Sequence, residues 1–205
     1  MASAPTETAE TSARTDQATG IVSPLRLAHV VLRSSKFQEI LGWYKLVLNA
    51  RIVFESPGIA FLAYDEEHHR IAVLNVPDLA EQPFGAAGVH HFAFTYANLP
   101  ILLNNYERLK ERGVEPLWCT NHGPTTSMYY GDPDGNQVEL QVDNYDTVEE
   151  AGEFFFSEHF ATNPIGVDFD PADYIERLKA GGSEDALKLR PASGPRGVED
   201  IKLPR

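Results

Sequence analysis

Cysteine is nearly missing from this chain. Cys119 is the only one in 205 residues, so no internal disulfide can form and nothing points to an oxidising compartment. Basic residues are scarce too: 17 Lys and Arg against 30 Asp and Glu leave a formal net charge of −13. Such a balance excludes the broad basic surface that nucleic acid requires. No apolar run approaches the roughly 20 residues that span a bilayer, so no membrane partner is expected. The opening stretch, MASAPTETAETSARTDQATG, has neither the basic start nor the apolar segment of a secretory signal, and a cytoplasmic protein is expected. What is present is 42% hydrophobic, an ordinary share for a globular core.

Composition divides the chain into three. Residues 1–22 are rich in Ala, Thr, Ser and Glu and read as a disordered tail. Residues 23–145 read as the folded domain, and 146–205 as a C-terminal extension, helical in part and poorly ordered from Gly181 onward. Within the domain, Leu25–Leu32 reads as a strand, and a helix capped at Ser34 or Ser35 follows with Phe37, Ile40, Leu41 and Tyr44 on one face. Three strands come next, at 51–55, 61–64 and 71–76. The order then repeats: a strand over 89–96, a helix over 98–113, a strand over 114–119 and a hairpin over 126–142. A shift of 62 residues lays His29 on His91 and Tyr44 on Tyr106, and a shift of 66 lays Val73 on Glu139. An internal repeat outweighs any local signal. The fold class expected is α+β: two tandem βαβββ modules forming a curled mixed sheet around a metal cavity.

The hairpin turns at Asp132-Pro133-Asp134-Gly135-Asn136, where Pro fixes φ and Gly or Asn tolerates positive φ. Beyond it, Gln137, Glu139 and Gln141 alternate with Val138, Leu140 and Val142, so one face of the strand is apolar and the other carries a carboxylate. His29, His91 and Glu139 stand on separate strands at matching points of the repeat. Two imidazoles and one carboxylate on one side of a metal, with the other positions open, form the set that suits non-haem Fe(II), and Mn(II) accepts the same ligands. Val73, apolar at the point matching Glu139, leaves the remaining corner without a donor. Of the adjacent pair His90 and His91, the repeat selects His91. Strand parity turns His69 toward the cavity, although a solvent-exposed turn residue is an equal reading of it. His122, before Gly123-Pro124, belongs to a loop at the cavity mouth, and Tyr129 lies on the strand beside that of Glu139. Histidines near a metal serve as acids or bases near neutral pH, and a tyrosine hydroxyl can donate to a substrate oxygen.

These residues carry a resemblance. LAHVVL, GVHHFAFTY and YYGDPDGNQVELQV resemble the three ligand-bearing segments of the vicinal oxygen chelate superfamily, whose unit is the paired βαβββ module. HHRIAV, His122-Gly123 and Tyr129 narrow the likeness to the type I extradiol ring-cleavage dioxygenases of catechols, across residues 25–178. NPIGVDFDP (163–171) also resembles a stretch of such enzymes, without an assigned role. With one module pair the chain is similar to the shorter, one-domain kind. The resemblance implies His29, His91 and Glu139 as metal ligands, with Fe(II) or Mn(II), and His69, His122 and Tyr129 as catalytic residues. It also implies a catechol-type diol and O₂ as partners in meta-cleavage; oligomeric state stays open. The competing readings are another metal enzyme of the superfamily, of glyoxalase or epimerase type, and a metal-free protein that binds an aromatic compound or antibiotic.

Overall fold

The computed structural model describes residues 20–81, 83 and 86–202; residues 1–19 of the expected tail and the last three residues of the chain lie outside it. The first module runs β1 (Val30–Ser34), α1 (Phe37–Leu48), β2 (Arg51–Glu55), β3 (Ile59–Ala63) and β4 (Ile71–Asn75). The second runs β5 (His91–Thr95), α2 (Leu99–Lys110), β6 (Trp118–Asn121), β7 (Thr125–Gly131) and β8 (Gln137–Asp143). A shift of 62 carries α1 onto α2 end to end. In each module the first strand pairs parallel with the last and the others pair antiparallel. The fold is α+β, with the mixed sheet built as two: β1-β4-β3-β2, and β5-β8-β7-β6 extended by β9 (Val167–Asp168). Both β1 and β5 are edge strands, and no strand pair joins them among the described residues.

Local boundaries differ from the sequence reading for identifiable reasons. β1 starts at Val30 rather than Leu25, because its partner β4 begins only at Ile71; the carbonyls of Leu27 and Ala28 accept instead from the Arg70 guanidinium. The α1 N-cap position is Lys36, and Ser34 uses its hydroxyl to accept from the Lys36 N–H rather than to cap the helix. β6 begins at Trp118 and runs to Asn121, so the stretch 114–117 precedes the strand. α2 is capped as its sequence requires, with the Asn98 side chain accepting from Ile101 and Pro100 in the first turn.

One core serves both modules. Ile40, Leu41 and Tyr44 of α1, Leu102, Leu103 and Leu109 of α2, and Leu62, Val73, Val138 and Leu140 of the sheets are at most 1% exposed. Each such aliphatic side chain contributes roughly 1.5–3 kcal/mol by leaving water. The modules meet through their helices and the β7–β8 turn. Tyr44 donates to Asp132 at 3.2 Å, Lys36 to the Pro133 carbonyl at 2.6 Å, and Arg108 to the Leu46 carbonyl at 2.7 Å. Asp132 also accepts from the backbone of Asp134 and Asn136, which fixes the turn, and Gly135 takes its positive φ of 86°.

The extension wraps the second module: α3 (Val148–Phe154), α4 (Glu158–Thr162), β9, α5 (Pro171–Lys179) and α6 (Glu184–Lys188). Asp170 caps α5 with Pro171 behind it, and Tyr174 and Ile175 are buried. The expectation of a poorly ordered end from Gly181 is corrected through residue 202. Leu187 is 2% exposed, Asn121 donates to the Lys188 carbonyl at 2.9 Å, and Arg196 pairs with Asp168 at 2.9 Å. Composition could not foresee this order, because the acceptors for these groups lie in the folded domain. No helix among the described residues is long and apolar enough to cross a membrane.

Candidate active site

Four residues lie side by side across the second sheet on the face away from the core: Trp118, Tyr129, Glu139 and Ala93. Glu139 is 4% exposed, and His91 Nε2 stands 3.0 Å from its carboxylate. Burial pushes the Glu139 carboxyl up, but hydrogen bonds from His91 and Ser127 outweigh it and hold the group below the ordinary glutamate range. His91 is the inward member of its pair, as the repeat indicated; His90 holds the other side of that ring, Nδ1 to Nδ1, at 2.7 Å. Tyr129 stacks on Trp118 with centroids 5.0 Å apart and meets the His91 ring edge-on at 5.3 Å.

His122 does not line an open mouth. It follows β6 and is covered by the C-terminal extension, with Nδ1 against the Ile165 carbonyl and Nε2 2.8 Å from the Tyr129 hydroxyl. A carbonyl only accepts, so Nδ1 carries the hydrogen and Nε2 of the neutral ring accepts from Tyr129. Burial lowers the pKa of the ring and favours this neutral form. Tyr129 is pushed up by burial and by the Glu139 charge and so keeps its proton. Asn163, fully buried, sets the carbonyl in place: its Oδ1 accepts from the Ile165 and Gly166 N–H at 3.0 and 2.8 Å. Sequence reasoning missed Ser127, Trp118, Ile165 and Asn163. Ser127 was within reach, since it shares strand parity with Tyr129; Asn163 and Ile165 lie in the 163–171 stretch, whose resemblance carried no assigned role.

The first sheet presents the matching row Phe54, Phe61, Ala72 and Val31. Ala72, not Val73, is therefore the counterpart of Glu139, and Val73 faces the core. The 66-residue shift fails here because the β3–β4 connection is longer than the β7–β8 turn, so no single shift fits every strand. The position is apolar either way. His29 lies just before β1, exposed, with its ring 4.5 Å from that of His69, which packs 4.7 Å from Phe61. His69 lies in the loop before β4 and is half-buried, beside its exposed neighbour His68. Strand parity did not apply to it, yet its ring reaches the expected face.

The donors thus come in two groups. His91 and Glu139 offer an imidazole nitrogen and an ionised carboxylate at contact distance, which is fit chemistry for a divalent metal. His29 stands with His69 instead, and among the described residues no three His, Cys, Asp or Glu side chains converge closely enough to hold an ion. Among the described residues, His29 thus stands apart from the His91–Glu139 pair. The open depression of about 770 Å³ bordered by Lys36, Gln38, Glu55 and Asn75 contains none of these residues.

Residues 26–140 match the family model described as the glyoxalase/bleomycin resistance protein/dioxygenase superfamily. Among curated proteins, biphenyl-2,3-diol 1,2-dioxygenase 2 of Rhodococcus globerulus is 47% identical over 79% of this chain and 86% of its own length. Biphenyl-2,3-diol 1,2-dioxygenase 3 of the same organism is 43% identical over 80% of this chain and 88% of its own. Among solved structures, a glyoxalase/bleomycin resistance protein/dioxygenase from Nocardioides aligns with a TM-score of 0.49 at 21% identity, covering 62% of this chain and 89% of that one.

Proposed function

Because the chain belongs to the glyoxalase/bleomycin resistance protein/dioxygenase superfamily, we infer that it is an extradiol dioxygenase. It opens the ring of an aromatic vicinal diol at the carbon–carbon bond next to the two hydroxyls, and both atoms of O₂ enter the product, one in the new carbonyl and one in the new carboxyl. The observation that carries this reading is the 47% identity with a biphenyl-2,3-diol 1,2-dioxygenase across 86% of that enzyme. The residues agree with it: an ionised Glu139 beside His91, with Tyr129 and a neutral His122 in hydrogen-bonded sequence behind them. The substrate we propose is a bicyclic diol of the biphenyl-2,3-diol type, the compound named for both relatives.

His91, Glu139 and His29 are the proposed ligands of the metal, Fe(II) first and Mn(II) as the alternative. When bound, such an ion supplies Lewis acidity that makes a diol hydroxyl easier to deprotonate. The protein residues handle the proton. Tyr129 stands between the Glu139 carboxylate and His122 Nε2, so its hydroxyl can take a hydrogen bond from the diol while passing its own proton to Nε2. His122 then carries two N–H groups, one held by the Ile165 carbonyl, and can return the other. His69, on the opposite row, is a second imidazole available for the departing proton, and burial with its neighbours His29 and His68 keeps its pKa below the ordinary imidazole value.

Protein reconstituted with Fe(II) under anaerobic conditions should consume one O₂ per diol on exposure to air and yield a yellow ring-opened acid. Biphenyl-2,3-diol and simple catechols are the compounds to test. No oxygen uptake across that panel, with metal shown to be bound, would sink the dioxygenase reading.

A further inference from the structure

Arg190, in the C-terminal extension, is half-buried against the loop that carries His122. The end of α6 delivers it there: Leu187 is 2% exposed, and the Lys188 carbonyl accepts from Asn121 at 2.9 Å. Arg190 Nη1 donates to the His122 carbonyl at 3.0 Å, and Nη2 to the Asn163 carbonyl at 2.7 Å. The guanidinium lies over the Phe154 ring, 5.4 Å from its centroid. That ring in turn occupies the space a Cβ at position 123 would need, so Gly123, at φ +106°, is what the loop requires directly after His122. Stability alone is a poor reason for this cation. Both of its partners are neutral carbonyls, not carboxylates, and its Nε is buried without a hydrogen-bond partner among the described residues.

The contacts close a circuit around the His122 ring. Arg190 joins the His122 carbonyl to that of Asn163. The Asn163 side chain accepts from the Ile165 N–H, and the Ile165 carbonyl accepts from His122 Nδ1, which leads back to the ring. His122 is thus fixed at its backbone and at Nδ1 by one connected set of bonds, and Nε2 is left 2.8 Å from the Tyr129 hydroxyl. We propose that Arg190 is a positioning residue for His122: its grip on the carbonyls of His122 and Asn163 keeps the ring in one tautomer with Nε2 aimed at Tyr129. This rests on the proton path described above and deepens it. A guanidinium suits the task because its donors stand at fixed angles in one plane, so a bond to one carbonyl sets the direction of the other; an ammonium on a flexible stem imposes no such relation. A ring free to turn would leave Tyr129 without a fixed acceptor for its proton.

Arg190→Met and Arg190→Lys in the full-length chain test this. The first readout is nitrogen NMR of the His122 ring before metal is added, assigned by the signals that His122→Phe removes. Wild type should show one hydrogen-bearing nitrogen, Nδ1, and one bare nitrogen, Nε2; in both variants the two should move toward a common averaged shift. The second readout is turnover of biphenyl-2,3-diol by the Fe(II)-loaded protein. Arg190→Met should lower kcat roughly 10–100-fold, the usual worth of a group that orients a site residue, with KM and bound metal little changed. Arg190→Lys should fall between that variant and the wild type. An Arg190→Met protein that folds with a lower Tm yet keeps the wild-type tautomer would make Arg190 structural only and overturn the proposal. If Arg190→Met does not fold, Arg190→Lys decides by the same signals, and a wild-type tautomer in it would overturn the proposal equally. Because the tautomer is read without turnover, wild-type protein that cleaves no diol would count against the dioxygenase reading alone. Averaged ring signals with kcat intact would support Arg190 as the holder of the ring and count against His122 as the acid–base group.

Discussion

Tyr129 and Tyr130 are adjacent and chemically alike, yet strand alternation separates them. Tyr130 is 1% exposed in the core, while Tyr129 pairs across the sheet with Glu139 and donates to His122. His122→Phe should lower kcat by roughly 10²–10⁴-fold, the usual worth of a positioned acid–base group, with bound metal unchanged. Full turnover in that variant would remove His122 from the proton path. Asn163 acts at one remove, through the Ile165 carbonyl that holds His122 Nδ1. Asn163→Ala strands the Ile165 and Gly166 N–H groups at about 1–3 kcal/mol each. It should lower Tm and also lower kcat with KM little changed, because the ring loses its fixed tautomer; Asn163→Asp keeps the acceptor and should recover much of both. A fall in Tm with kcat intact would make Asn163 structural only. His91 was legible from the 62-residue repeat, and Glu139 from the alternation of its strand. Asn163 was not, because what it orients is a backbone carbonyl two residues on, aimed at a ring 43 residues away in sequence.

Among the elements, β9 shows how little sequence signal a decisive piece can carry. It is two residues long, pairs with β6, and holds Ile165 over His122. Gly166 has φ +128°, and a Cβ there would lie 2.6 Å from both the Asn121 carbonyl oxygen and Thr120 Oγ1. Gly166→Ala should therefore cost about 1–3 kcal/mol by crowding and backbone strain, measured by chemical denaturation. The segment 196–202 is fastened to Asp168, which accepts from Trp118 Nε1 at 2.8 Å, Arg196 at 2.9 Å and Lys202 at 2.8 Å. Burial raises the Asp168 pKa, but these bonds outweigh it and leave the carboxyl below the ordinary aspartate value. A depressed carboxyl pKa gives stability that is present above the unfolded value and is lost as pH falls through the folded one. Trp118 fluorescence should accordingly hold steady at neutral pH and change on acidification below about pH 4, the ordinary aspartate range. An Asp168→Asn variant should not show that transition; the same transition in the variant would assign it elsewhere.

At the scale of the whole molecule, the two modules present unlike faces: Val31 and Phe54 of the first are exposed, while Glu139 of the second is buried. The sequence alone determined the repeated βαβββ order, the apolar faces of α1 and α2, the Asp132–Asn136 turn and the choice of His91 over His90. All of these follow from periodicity, from turn chemistry, or from one module read against the other. Tertiary structure decided the rest: Ala72 rather than Val73 opposite Glu139, an ordered extension covering His122, and His29 standing apart from His91 and Glu139. Strand register depends on the length of the connections. The order of the C-terminal segment depends on acceptors far away in sequence. Which faces of two like modules meet is settled by packing between surfaces, which the pattern along either module does not encode.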